Sequence, residues 1–313
     1  MRKLFPLLLL LAACWTAKAQ EDHLVFTPQW TAQAQFAGYY VAQEMGFYKE
    51  EGLKVDIIHP STTASAITRI KANTSNATTL QLCQAIEIID KGTPLVNILQ
   101  TSMNNAMVIA SRHNLDPLSQ KGARVGIWSA GFGQIAYCMD QIDSLGYEWI
   151  PSAYNVNLFI KGAVDATLAM SYNEYYQLLQ AGFELNDSNV YRFCDHGYNI
   201  QEDGVYMTRA YYRKHREQAQ QFARASRRGW QWAADNPEKA LEIVMKYVEA
   251  SHVATNVTLQ RLMLNEILHL QIDKESGEQD FRLRPDMVKK ASDLMLQGKM
   301  ISSPVSYEQL TED

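Results

Sequence analysis

Apolar positions along the chain fall into two alternating rhythms. Leu24-Val25-Phe26 is a short apolar run that predicts a strand, and from Gln35 to Glu51 the residues Ala37, Val41, Met45 and Tyr48 recur at helical spacing until Gly52 stops the pattern. Lys54 to Ile58 alternates and predicts a second strand; Thr63 to Ala72 reads as helix, Thr78 to Leu82 as strand, and Gln84 to Lys91 as a helix closed by Gly92. Leu95 to Leu99 and Met107 to Ser111 are further strands. Strands separated by helices predict a mainly parallel sheet covered on both faces.

The turn-rich stretch Asn114 to Leu118 opens a second unit of the same kind. Arg124 to Trp128 and Ala166 to Met170 read as strands, Gly133 to Ser144 and Tyr172 to Gln180 as helices ended by Gly146 and Gly182. From Tyr211 onward the pattern is almost wholly helical. Phe222, Ser226, Trp230 and Ala233 share a face, and Asn236-Pro237 starts a new helix carrying Ala240, Leu241, Val244 and Val248.

Composition changes this picture little. The 313 residues, 47% hydrophobic and 20% charged, are enough for one large or two medium α/β units. The net charge of −5 gives no surplus to neutralise phosphates, so nucleic acid is not an expected partner.

The first residues change more. Arg2-Lys3, an apolar run from Leu4 to Ala13 and the small residues Ala17-Lys18-Ala19 read as a secretory signal peptide over residues 1–19. The apolar run is too short to cross a bilayer, which takes about 20 helical residues. Leu11-Ala12-Ala13-Cys14 also resembles a bacterial lipobox, which would anchor Cys14 to lipid; cleavage after Ala19 is the preferred reading. That cut removes three of the 29 cationic residues and leaves 26 against 34 acidic ones, a charge of −8. Three of the four cysteines remain, so at least one thiol is unpaired unless it crosslinks chains.

The blocks Gln33-Ala34-Gln35-Phe36-Ala37-Gly38-Tyr39-Tyr40-Val41-Ala42 and Gly46 to Leu53 resemble the opening of a known family. It contains ABC-transporter solute-binding proteins for thiamine-pyrimidine precursors, sulfonates and nitrate, together with the fungal thiamine-pyrimidine synthase. Gly122 to Trp128, Gly162 to Ala166, Ala169 to Glu174, Glu202-Asp203-Gly204 and Ala225 to Glu238 match in order, and Met170 to Glu174 resembles the thiamine-pyrimidine branch most. The resemblance implies an α/β fold of the type II periplasmic-binding-protein class, with two lobes and a ligand cleft between them. Lobe one would comprise residues 22–110 plus 205–313, and lobe two residues 111–204. It implies an extracytoplasmic binding protein, whose partners are a small-molecule ligand and the permease and ATPase subunits of an importer.

Ligands of open α/β sheets bind beyond the carboxyl ends of strands, which places the candidate residues. Trp30, Gln35, Phe36 and Tyr39 follow the first strand, and the three rings among them offer aromatic faces for a planar heterocycle. Trp128 ends a later strand, just before the glycine turn that holds Gly131 and Phe132. Tyr172, Asn173 and Glu174 follow the Ala166–Met170 strand, where an amide and a carboxylate can read an aminopyrimidine. Asn104 and Glu202 lie near the two expected crossovers and complete the candidate set.

Catalysis is not expected. Gly131-Phe132-Gly133-Gln134-Ile135-Ala136 fits a loose dinucleotide pattern, but reads as a turn at the cleft. The fungal synthase carries a cysteine-dense iron motif where this chain has only Cys194-Asp195-His196, which cannot close a metal shell. No cofactor and no metal is therefore expected. A binding protein that feeds a membrane signalling partner is the alternative function, and a synthase-like enzyme is disfavoured. The basic run Arg213, Lys214, Arg216, Arg224, Arg227 and Arg228 reads as a solvated helix face.

Overall fold

The computed structural model describes residues 22–61, 64–128, 131–152 and 155–312. The expected signal peptide, Cys14 and the turn residues Ser129 and Ala130 lie outside them.

Ten strands form two five-stranded sheets. They are β1 (Asp22–Thr27), β2 (Leu53–Ile57), β3 (Ala77–Gln81), β4 (Leu95–Gln100), β5 (Met107–Ser111), β6 (Arg124–Trp128), β7 (Glu148–Ser152), β8 (Ala166–Met170), β9 (Val190–Arg192) and β10 (Asp203–Thr208). The first sheet runs β2-β1-β3-β10-β4 and the second β7-β6-β8-β5-β9. In each sheet four strands run in one direction and one is reversed: β10 runs antiparallel to β3 and β4, and β5 antiparallel to β8 and β9. The sheets are therefore mainly parallel, as the sequence predicts, and mixed by one reversed strand each. The physical reason is the crossing: β5 and β10 are the strands by which the chain enters each sheet from the other, so each threads in from the opposite end.

The chain leaves the first sheet after Gln100 and returns to it at Asp203. Boundaries at 110/111 and 204/205 consequently fall inside β5 and β10, and the changeovers lie in the segments 101–106 and 193–202. Asn104 and Asn105 staple these segments together: Asn199 donates from Nδ2 to Asn104 Oδ1 (3.2 Å) and accepts at Oδ1 from the Asn105 N–H (2.9 Å).

The long helix expected over Gln35 to Glu51 is broken into Ala37–Glu44 and Phe47–Glu50 by Gly46, whose φ of 77° lies in the left-handed region. The first piece packs on Arg216–Asp235 at two glycines. A Cβ on Gly38 would stand 2.2 Å from Trp230 Cδ2, and one on Gly229 would stand 2.0 Å from the Gly38 carbonyl oxygen. Only bare backbone lets the helices meet this closely. The core of the first sheet builds outward from there through Phe26, Tyr39, Phe222 and Trp230, all buried.

The basic run lies on exposed helix surface and is largely ion-paired. Arg213 and Arg216 reach Glu312, Arg224 reaches Glu51 and Arg228 reaches Glu50, each at 2.7 Å. Such pairs at the solvent boundary add little to stability, because water screens them. Among the described residues Cys83, Cys138 and Cys194 are free thiols, and no helix is long and apolar enough to cross a membrane.

Candidate functional site

The carboxyl ends of β1, β3, β6 and β8 converge on one narrow cleft between the two sheets, in which only about 20 Å³ is open to a water-sized sphere. The turn after β1 supplies Gln29, Trp30, Gln33 and Gln35, and β3 ends in Gln81. From the second sheet come Trp128 at the end of β6, Phe132 beyond it, and Met170, Tyr172, Asn173 and Glu174 after β8. Because β10 is antiparallel, its amino end reaches the same place: Asp203 pairs in register with Gln81.

Glu174 is the electrostatic focus. It is 4% exposed, and its carboxylate accepts from Trp128 Nε1 (3.0 Å), Asn173 Nδ2 (3.1 Å) and the Met170 N–H (3.0 Å). Gln177 donates to Asn173 Oδ1 (2.9 Å), which orients that amide. Burial pushes the Glu174 carboxyl above its usual range, and the hydrogen bonds from Met170, Trp128 and Asn173 pull part of the way back. A carboxylate offers about four lone-pair sites, so three protein donors leave about one for a ligand.

Asp203 is built differently. Gln29 and Gln35 donate their amides to its two oxygens, at 2.9 and 2.6 Å, and burial again raises the pKa. Neither acid faces a cation here, because the residues lining the cleft include no Lys, Arg or His.

The aromatic wall is a set of edges. Phe132 meets Trp30 at 5.2 Å and 84°, and Trp128 at 6.5 Å and 75°. A ring entering this slot must part Trp30 from Phe132, which belong to opposite sides of the cleft. Trp30 is set by His59, whose Nδ1–H donates to the Trp30 carbonyl at 2.6 Å while Nε2 accepts from the Tyr40 hydroxyl at 2.8 Å. Burial lowers the His59 pKa to about 4, so the ring is neutral in this arrangement. Further contacts tie the two sides together: Gln84 Nε2 donates to the Gly131 carbonyl (2.7 Å), Gln134 Nε2 to Glu87 (2.8 Å) and Ser171 Oγ to Glu266 (2.8 Å).

Of the residues singled out in the sequence, Trp30, Gln35, Trp128, Phe132, Tyr172, Asn173 and Glu174 meet in the cleft. The structure places the others elsewhere. Tyr39 is core, packed on Phe26 and Trp230, because it sits on the inward face of its helix. Phe36 packs on the His59 ring at 5.6 Å and is 1% exposed. Asn104 staples the crossovers, and Gly131 offers its carbonyl to Gln84 and Gln134 rather than to the cleft. Glu202 faces a neighbouring chamber lined also by Gln35 and Tyr172. Residues outside the candidate set are Gln33, Gln81 and Met170, together with Gln29 and Asp203, whose neighbours Trp30 and Glu202 belong to it. Gln29, Gln81 and Met170 stood at strand ends and were open to the same rule; Asp203 needed the antiparallel insertion. Among the described residues no group of three or more His, Cys, Asp or Glu side chains could hold a metal.

The chain is similar to the formylaminopyrimidine-binding protein of Halalkalibacterium halodurans, with 26% identity over 76% of this chain and 76% of that one. It is also similar to riboflavin-binding protein RibY of Chloroflexus aurantiacus, with 22% identity over 88% and 80% of the two chains. Among solved structures, the ligand-binding component of an ABC-type import system from Staphylococcus aureus superposes with a TM-score of 0.69 at 8% identity, covering 93% of this chain and 96% of that one. The periplasmic aliphatic sulphonate-binding protein of Escherichia coli gives a TM-score of 0.63 at 12% identity, covering 93% and 92%. The fold is thus that of the periplasmic binding proteins. The family model described as NMT1/THI5 like matches residues 33–240, well over half of the sequence, and the chain belongs to that family.

Proposed function

We propose that this chain is the extracytoplasmic solute-binding component of an ABC importer, and that its ligand is a small, planar amino-heterocycle such as a thiamine pyrimidine precursor. The observation that carries the reading is Glu174: a buried carboxylate beside aromatic faces, held by three neutral donors, in a cleft with no cationic lining residue. A sulfonate or nitrate site needs cationic or backbone donors turned toward the anion, and a buried carboxylate repels one. An exocyclic amine instead donates to the remaining lone pair of Glu174, while the ring lies against Trp30, Trp128 and Phe132. The formylaminopyrimidine-binding relative supports this class, and the sequence pattern of residues 1–19 supports export. The two-sheet architecture supports lobes that close on the ligand by hinge bending at the segments 101–106 and 193–202.

Isothermal titration of the purified chain with a 4-aminopyrimidine, riboflavin and a short alkanesulfonate tests the reading. Saturable binding of the aminopyrimidine with no heat from the sulfonate is expected. Binding of the sulfonate, or of riboflavin alone, refutes it.

A further inference from the structure

The helix Pro285–Gln297 is tied to the half of the molecule built on the first sheet. Asp90 holds the chain that follows it, accepting from the N–H groups of Ser302 and Ser303 at 3.1 Å each, and the Leu310 carbonyl accepts from the Asn97 N–H of β4 at 2.8 Å. The same helix packs on Gln134–Asp143, which lies between β6 and β7 and belongs to the half built on the second sheet. Just past its carboxyl end the two halves meet with no side chain between them. A Cβ on Gly298 would stand 2.6 Å from Cys138 Cα and 2.8 Å from both Cβ and Sγ of that residue, which is fully buried. Gly298 is not needed there for its backbone. Its φ of −75° is open to any residue, and the left-handed position that ends the helix falls on Lys299, at 57°. What excludes a side chain is the opposite half of the molecule.

This contact continues a seam that starts at the cleft. Gln134 stands one helical turn before Cys138, on the same helix face, and donates to Glu87 of the first-sheet helix Leu82–Asp90. Gln84 of that helix donates back across the seam to the Gly131 carbonyl. Leu82–Asp90 in turn packs on Pro285–Gln297, so both first-sheet helices bear on Gln134–Asp143 together. Carbon atoms in contact stand about 3.5–4.0 Å apart, so a methyl on Gly298 must shift one half against the other by roughly an ångström. That shift draws Gln134 off Glu87 and Gly131 off Gln84, and it parts Trp30 from Phe132, which meet from opposite halves at 5.2 Å.

We propose that Gly298 is a positioning residue for ligand binding: its missing side chain lets the two halves close far enough to bring Trp30, Phe132 and Glu174 onto one ring. It acts through the seating of Pro285–Gln297 on Cys138 and not by touching the ligand. The inference rests on the lobe closure of the proposed function and adds the residue that sets how far the lobes close.

Gly298→Ala and Gly298→Val test it, in a Cys194→Ser background that removes the half-buried thiol. Calorimetry gives the Kd for a 4-aminopyrimidine, peptide mapping gives the rate at which a maleimide modifies Cys138 in the ligand-free chain, and thermal melts give Tm. The Kd is expected to rise about tenfold or more in the Ala variant and further in the Val variant, because the closed, binding-competent form becomes a minor population. The rate of Cys138 modification should rise by about the same factor, while Tm stays within about 3 °C, since the halves relieve the overlap by parting. A Kd within about twofold of the parent value overturns the proposal, as does an unchanged Cys138 rate. A large fall in Tm, or failure of both variants to fold, also overturns it, because the contact is then fixed core packing and not a seam that parts. If the parent chain binds no aminopyrimidine, the ligand reading fails, and the Cys138 rates alone decide the role of Gly298.

Discussion

Replacing Glu174 with Gln isolates the charge from the shape of the site. The carboxylate accepts at 3.0 Å from Trp128 and 3.1 Å from Asn173 on one oxygen, and at 3.0 Å from the Met170 N–H on the other. A glutamine that keeps the first two bonds must turn its own NH₂ toward the Met170 N–H, donor against donor. One backbone hydrogen bond is lost and one buried N–H is orphaned, a cost of about 1–3 kcal/mol. Removing a buried charge returns part of this, because burial already penalises the ionised form. A net destabilisation of about 1–2 kcal/mol is expected, read as a loss of a few degrees in Tm. Ligand affinity should fall further. A hydrogen bond to a charged acceptor contributes about 1.5–3 kcal/mol, so the Kd for a 4-aminopyrimidine should rise roughly 10- to 160-fold at pH 7. Calorimetric titration and thermal melts of the two proteins measure both quantities. A Gln variant that keeps the wild-type Kd within about twofold refutes the role given to the carboxylate, since a charge-assisted bond cannot be lost so cheaply.

Three further outcomes are expected. Gly38→Ala drives a methyl into Trp230 and should destabilise the protein by about 3 kcal/mol or more in urea unfolding, beyond ordinary overpacking because the wall is an indole; a loss under about 1 kcal/mol would contradict the close helix contact. His59 has a folded-state pKa of about 4 against an unfolded value near 6.5, so the unfolded chain binds more protons between them. Its contribution is present above pH 6.5 and is lost as pH falls toward 4, and His59→Asn should flatten that part of the stability-against-pH curve; an unchanged slope in the variant counts against a neutral, Trp30-bonded ring. Small-angle scattering with and without a bound aminopyrimidine should show compaction of the two lobes, and identical profiles would argue against hinge closure.

Much of the fold was legible along the chain, for a local reason. β5, β6 and β8 are bounded to the residue by their apolar runs, because a strand buried on both faces has polar turns at each end and little else to confuse it. The strand-end rule likewise brought Trp30, Gln35, Trp128 and Tyr172 to Glu174 toward one place, since parallel strands put their following turns on one side. Other elements carried no such signal. β7 contains Pro151 and lies at the sheet edge, β9 spans only three residues, and β10 begins with Asp203-Gly204, which reads as a turn. That β5 and β10 run antiparallel follows from crossings between sheets, which no local period records. The same crossings bring Asp203 to Gln29 and Gln35, across 174 and 168 residues of sequence, and set Glu202 and Gln271 around one chamber. Local hydrophobic periodicity decides which segments become strands and helices, but a buried carboxyl finds its partners only after both sheets have closed around it, and that pairing belongs to the tertiary structure alone.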